Sequence, residues 1–130
     1  MAEGLAAATA TAILDAICNG TAYSITQPIY IQLHTAAPGA AGTTAIAGNA
    51  TRKSVSFGAA ASGAISNDAA VSWTSGEVDT SEDYSHYTLW TASSAGTFIA
   101  SGTINANTIT AGDTFTIASG DIDLSFTTAS

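Results

Sequence analysis

Short runs in which apolar and polar residues alternate fill most of the chain after residue 28. The clearest run lies near the C-terminal end, where Ile122, Leu124 and Phe126 alternate with polar residues. Alternation with a period of two is the pattern of a strand with one buried face, and Gly, Asn, Asp and Ser separate the runs at intervals of about 8 to 12 residues. This spacing predicts a mainly β fold, an antiparallel β-sandwich of about eight short strands, in a single domain that covers residues 1–130.

The predicted strands share this alternation and are bounded by turn residues. They lie at Ile29–His34, Lys53–Phe57, Ile65, Ala69–Trp73, Tyr84–Thr91, Thr97–Ile104, Ile109, Phe115–Ile117 and Ile122–Phe126.

The first 20 residues carry a helical pattern instead. Apolar residues recur at helical spacing between Glu3 and Cys18, and Gly20 stands where a left-handed stop would end the helix. We predict one short N-terminal α-helix within residues 1–20, whose Ala-rich face packs against a sheet or a neighbouring chain. The lone Cys18 on this helix is expected to be a small buried apolar group, with no disulfide and no cysteine-based zinc site.

Residues 35–51 interrupt the strand pattern with a long stretch of small residues. The segment consists mainly of Ala, Gly and Thr around Pro38, and Ile46 is its only large apolar residue. Connections of this length inside a compact domain are uncommon unless they are functional or flexible. We therefore expect a long loop or arm here that orders against a neighbouring chain.

Composition narrows the choice of partners. Ala, Gly, Ser and Thr make up 75 of the 130 residues, so the predicted core is thin, and contacts with other chains would add stability. The formal net charge is −8, with Arg52 and Lys53 as the only Lys or Arg residues. Binding to nucleic acid or to anionic lipid requires several cations, so we expect neither.

The chain also gives no sign of membrane insertion or secretion. No apolar run approaches the roughly 20 residues that span a bilayer. The segment Met1–Cys18 lacks the basic start of a signal peptide and contains Glu3 and Asp15. We therefore expect a protein that stays, or assembles, in a cytoplasm.

Candidate catalytic groups are few. The sequence contains none of the short motifs that identify serine hydrolases, zinc metalloproteases or nucleotide-binding proteins. Its two histidines are His34 and His86. Either could act as a general base, but each lies in a predicted strand beside aromatic residues, where a hydrogen-bonded structural role is expected. We predict no catalytic, cofactor-binding or metal site, and no enzymatic activity.

Acidic residues offer a candidate calcium site. Carboxylates in the loop Glu77–Asp83 could supply oxygen ligands, and Asp121 and Asp123 share one strand face. The loop does not fit the twelve-residue calcium template. A solvated face that keeps assembled copies soluble is the simpler interpretation.

Four aromatic residues offer a candidate sugar-binding site. Trp73, Trp90, Tyr84 and Tyr87 could form a platform on which sugars stack, as in an adhesin. Packing in the core of a sandwich explains the two tryptophans at least as well.

An ordered series of short motifs resembles a family of small virion proteins of tailed bacteriophages, often labelled tail fibre or minor structural proteins. The resemblance runs from the helix to Phe126, and the insertion Glu77–Asp83 departs from the family pattern. The motifs, in chain order, are Asn19–Tyr23, Leu33–Thr35 with Pro38–Gly39, Arg52 before Val55–Gly58, Gly63–Asn67, Tyr87–Trp90, Gly96–Phe98, Ala111–Phe115 and Gly120–Ile122.

The resemblance implies a virion component without placing it on the head or the tail. A short acidic domain with neither length nor repeats favours a capsid decoration or cement protein, which binds the major capsid protein or other virion proteins. The helix or the 35–51 arm would act as the clamp. Self-association, including a trimer about a threefold axis, is also expected. The alternatives are a tail fibre or minor tail protein that binds host-surface glycans, and a cell-wall-degrading enzyme that uses His34 or His86.

Overall fold

A computed structural model describes residues 3–130, except for the side chains of residues 106 and 107. One helix and eight strands occur in this part of the chain, so the predicted β fold is confirmed. In chain order they are α1 Ala7–Asn19, β1 Ile29–His34, β2 Lys53–Val55, β3 Ala64–Ser66, β4 Val71–Trp73, β5 Glu82–Trp90, β6 Phe98–Ile109, β7 Phe115–Ile117 and β8 Asp123–Ser125.

The strands form one four-stranded sheet and two short ribbons, and every pairing is antiparallel. The sheet has the order β2-β1-β5-β6, while β3 pairs with β8 and β4 pairs with β7. In the centre of the sheet, Leu33 lies opposite Tyr87 and His34 lies opposite His86. The arrangement is consistent with the predicted antiparallel β-sandwich.

The core lies between the four-stranded sheet and the ribbons. Ile31 and Leu33 of β1 and Leu89 of β5 point into it and are fully buried, together with Trp73 of β4. The Trp73 indole nitrogen donates a hydrogen bond to the Thr51 carbonyl at 2.9 Å, so its polar end is satisfied. Burial of each large apolar side chain contributes about 1.5 to 3 kcal/mol, and these residues therefore hold the layers together.

The helix begins later than the sequence pattern predicts. Residues 4–6 run along the edge of β6 instead, where the Ala6 amide donates to the Ile99 carbonyl and the Ser101 amide donates to the Gly4 carbonyl, both at 2.8 Å. Because residues 4–6 are hydrogen-bonded to β6, helix α1 starts only at Ala7. Its end is as predicted, because Gly20 adopts a left-handed conformation with φ 68°.

The prediction that Cys18 is buried is wrong. The thiol is exposed, because the helix rests on β6 through the face that carries Thr9 and leaves Ile17 in solvent. A periodic pattern of small residues did not identify which side of the helix meets the sheet.

Residues 35–51 form a loop, and it folds onto its own domain. The Ala47 amide donates to the Leu33 carbonyl at 3.0 Å, and the Thr35 amide donates to the Ala45 carbonyl at 2.9 Å. Pro38, Ala47 and Asn49 are buried. The segment is therefore a loop that packs along β1 of its own chain, and its contact with a neighbouring chain stays a prediction.

The bounds of several predicted strands also differ from the structure. The segments at Thr97–Ile104 and Ile109 belong to the single long strand β6, and β8 stops at Ser125 and leaves Phe126 exposed. Separately, no helix among residues 3–130 combines the length and hydropathy needed to cross a bilayer.

Candidate functional site

A groove of about 650 Å³ lies between helix α1 and the β3–β8 ribbon, above strand β6. Leu5 and Ile13 line it on the helix side, Leu124 and Phe126 line it on the ribbon side, and Ile99 belongs to its floor. The groove is therefore mainly apolar. Its size is within the range of clefts that bind ligands, which is about 300 to 1,000 Å³.

A close contact between Gly102 and Tyr87 shapes the floor of the groove. A Cβ atom at Gly102 would come within 2.5 Å of the Tyr87 hydroxyl oxygen and ring carbon Cζ. A side chain at position 102 would therefore force the tyrosine ring to move. Burial raises the pKa of Tyr87 to about 12, and the charge of Asp123 contributes in the same direction. The tyrosine is thus a neutral part of the floor at physiological pH.

Carboxylates mark the rim of the groove. Asp121 and Asp123 line it, and both side chains are exposed. Among the residues that the structure describes, neither carboxylate has an ion-pair partner. Glu3 also lines the groove, but its Oε1 lies 3.1 Å from Nε2 of His86. At Asp121 and Asp123 the rim therefore carries negative charge that no cation within residues 3–130 pairs with.

Exposed apolar side chains gather around the groove. Within the described part of the chain, five large ones are exposed, and two of these, Tyr23 and Phe126, line the groove. Leu14 and Ile17, exposed by 60% and 74%, follow the groove-lining Ile13 on helix α1. Apolar surface that clusters in this way marks interaction sites. Sequence analysis missed the groove because its walls come from segments about a hundred residues apart.

His34 lies at the centre of a buried polar chain under the 35–51 loop. Its Nδ1 is 2.8 Å from the Thr44 carbonyl, which can only accept, so Nδ1 carries the proton. Its Nε2 is 2.9 Å from the Thr88 hydroxyl, which in turn accepts a hydrogen bond from the Trp90 indole at 2.7 Å. Burial lowers the pKa of His34, although the Thr44 carbonyl opposes this shift. Both ring nitrogens of His34 are thus hydrogen-bonded within the domain.

His86 is the histidine that has a carboxylate beside it. Its Nδ1 lies 2.8 Å from the Ser85 hydroxyl, and its Nε2 faces Glu3. Serine, histidine and glutamate are thus neighbours. Because the serine adjoins Nδ1 and the glutamate adjoins Nε2, both ring nitrogens are occupied, and the contacts tie the start of the chain to strand β5.

The acidic loop Glu77–Asp83 does not converge on one point. Glu77 pairs with Lys53 and accepts from the Thr74 amide, which together lower its pKa, with the Lys53 hydrogen bond as the largest cause. Glu82 accepts from the Gly48 amide at 2.7 Å instead. Among the described residues no group of three or more His, Cys, Asp or Glu side chains could hold a metal ion.

The four aromatic residues considered for sugar binding are all buried. Trp73 and Tyr84 are fully inside the core, Tyr87 lies beneath the β3–β8 ribbon, and Trp90 is covered by Arg52. They cannot form an exposed stacking platform, because their ring faces are used in packing. Tyr84, for example, meets the ring of Phe115 edge to face at 4.9 Å.

Comparison with known proteins gives one family. A search of curated proteins finds no match. The family model described as Podophage GP4 fiber I protein gp80 matches residues 4–125, which is nearly the whole chain. The predicted resemblance to virion proteins of tailed phages is thereby confirmed. The chain belongs to the Podophage GP4 fiber I protein gp80 family, and it is a phage virion structural protein of the fibre type.

Proposed function

We propose that this chain is a non-enzymatic subunit of a phage tail fibre, which acts through contacts with other virion proteins. The match of residues 4–125 to a fibre family carries the proposal. It favours the tail fibre, the alternative in the sequence analysis, over capsid decoration, the first expectation.

The distribution of exposed side chains supports a role in assembly. Phe126 is exposed in the apolar groove, and Leu14 and Ile17 project into solvent from helix α1, whose Ile13 lines the groove. Each is a large apolar side chain whose burial against a partner would contribute about 1.5 to 3 kcal/mol. Surface of this kind suits a subunit that is completed by its neighbours.

Host-surface glycan binding is a weaker part of the tail-fibre alternative. The aromatic residues that would stack on sugars are buried, as described for Trp73 and Trp90. We therefore propose that the domain connects fibre or tail subunits.

Self-association of this chain, including a trimer, remains a prediction. Light scattering of the purified chain would measure its oligomeric state.

Location on the particle tests the proposal. Purified virions would be labelled with an antibody against this chain and imaged by electron microscopy, and the copy number would be measured by quantitative mass spectrometry. Label on the tail, with far fewer copies than the major capsid protein, is expected. Label spread over the head, with a copy number similar to that of the capsid protein, would instead establish decoration.

A further inference from the structure

We infer that the groove between α1 and the β3–β8 ribbon binds a segment of another virion protein in which apolar side chains are flanked by Lys or Arg. The inference rests on the proposed function, since it names the partner chemistry of the same assembly surface. Three observations lead to it: the apolar walls of the groove, its negative rim, and the engagement of both Arg52 and Lys53 by groups of their own chain.

The apolar walls require an apolar occupant. Leu5, Ile13, Leu124 and Phe126 line the groove from opposite sides, and Phe126 is 58% exposed. A partner that places apolar side chains between these walls removes both surfaces from water, which is the main source of affinity in such contacts.

The negative rim determines the charge of the occupant. Asp121 and Asp123 stand at the groove without an ion-pair partner among the described residues. An apolar segment flanked by acidic residues would bring like charges together. A segment flanked by Lys or Arg would pair with the rim instead, so charge complementarity selects a basic partner.

The same reasoning disfavours a second copy of this chain. Its only Lys and Arg residues are Arg52 and Lys53. Arg52 is held by the carbonyls of Ala92 and Ala95, and Lys53 is paired with Glu77. A second copy would therefore offer the groove carboxylates and no available cation from either residue. The occupant is a different protein.

Site-specific crosslinking in assembled virions tests this inference. A benzophenone-bearing amino acid would replace Phe126, which lines the groove, and the crosslinked segment would be identified by mass spectrometry. The same probe at Ser94, an exposed residue that does not line the groove, is the control. We expect the Phe126 probe to capture one segment of another virion protein, with apolar residues flanked by Lys or Arg, and the Ser94 probe not to capture it.

A binding measurement then tests the role of charge. The captured segment would be synthesised as a peptide and titrated against the full chain and against the double variant Asp121→Asn/Asp123→Asn. Loss of two exposed ion pairs should weaken binding by at least about threefold at low salt. The control, Asp79→Asn/Asp83→Asn, removes the same charge from exposed positions that do not line the groove and should leave binding unchanged.

Several outcomes would overturn the inference. These are no groove-specific crosslink, a crosslink only to another copy of this chain, a captured segment without basic residues, or equal binding by the two double variants. The outcome for the proposed function is separate. If the captured segment belongs to a head protein, the inference about the groove is supported and the proposed tail location is wrong. If the antibody labels the tail but the groove captures nothing, the tail location is supported and the inference about the groove is wrong.

Discussion

The guanidinium carbon of Arg52 lies 4.1 Å from the ring centroid of Trp90, so that the cation covers one face of the indole. The same guanidinium donates from Nη1 to the carbonyls of Ala92 at 3.0 Å and Ala95 at 2.7 Å, and from Nε to Gln32 at 3.3 Å. One side chain therefore joins strand β1 to the turn between β5 and β6.

Substituting Arg52 with lysine should destabilise the domain by about 1 to 3 kcal/mol. Lysine keeps the charge but lacks the planar fork that donates to two carbonyls while it stacks on Trp90. Denaturant unfolding would measure the change. The reverse exchange, Lys53→Arg, is the control, because the partly exposed pair with Glu77 tolerates either cation, and its effect should stay within about 0.5 kcal/mol. Equal effects of the two exchanges would contradict the importance of the Arg52 geometry.

Local patterns in the sequence predicted the positions of the strands better than the contacts between distant segments. The alternation at Ile29–His34 identifies β1 at its observed bounds, because a strand with buried residues on both faces still obeys a period of two. The start of α1 was wrong because residues 4–6 bond to β6, a partner about 95 residues away, and no local pattern encodes that choice.

The close packing of the 35–51 loop on its own domain was not predictable from its local sequence pattern. The small residues of the loop allow this close packing. At Gly42, a Cβ atom would come within 2.8 Å of the Phe98 ring, and at Gly48 one would come within 2.5 Å of the Thr80 hydroxyl. The groove was unpredictable for a related reason, since it forms only when the two ends of the chain meet.

Replacing Gly42 with alanine should loosen the loop and cost more than backbone strain alone. Gly42 has φ +71° and its Cβ would overlap the Phe98 ring, whereas Gly20 has φ +68° with no atom within 4 Å of a Cβ. Gly20→Ala therefore measures the cost of the left-handed conformation, about 1 to 2 kcal/mol. Gly42→Ala should exceed it by at least about 1 kcal/mol in denaturant unfolding. Equal losses of unfolding free energy in the two variants would show that the loop accommodates the extra Cβ atom without a further loss of stability.

Acidification should destabilise the domain through His34. Burial lowers its pKa in the folded state, so the unfolded chain, with a pKa of about 6.5, binds a proton first as the pH falls. The contribution of neutral His34 to the unfolding free energy is therefore fully present above pH 6.5. It decreases as the pH falls from 6.5 toward the pKa of His34 in the folded chain. The pKa of Glu77 is also lowered in the folded chain, from its usual value of 4.5. Its contribution to stability is therefore lost only at lower pH, as the pH falls below 4.5.

Unfolding midpoints at pH 7.5 and pH 5.5 would measure the effect of His34, and the variant His34→Gln should show a smaller difference between them. Titration of the His34 ring by NMR in the unmodified chain provides a second readout that does not depend on whether the variant folds. A ring that titrates above pH 6.5 in the folded chain would contradict the prediction.

Polar substitutions on the exposed face of α1 should separate assembly from folding. Leu14 and Ile17 are exposed by 60% and 74%, so Leu14→Gln/Ile17→Gln removes little buried surface and keeps a helix-forming residue at each position. Its unfolding free energy should stay within about 0.5 kcal/mol of the unmodified chain. Incorporation into virions, measured by quantitative mass spectrometry in a complementation assay, should fall at least severalfold, because the apolar contacts with the neighbouring subunit are lost. Ala8→Gln, at an exposed position on a different side of the same helix, should incorporate normally. Normal incorporation of the double variant would show that this face of the helix remains in solvent in the particle.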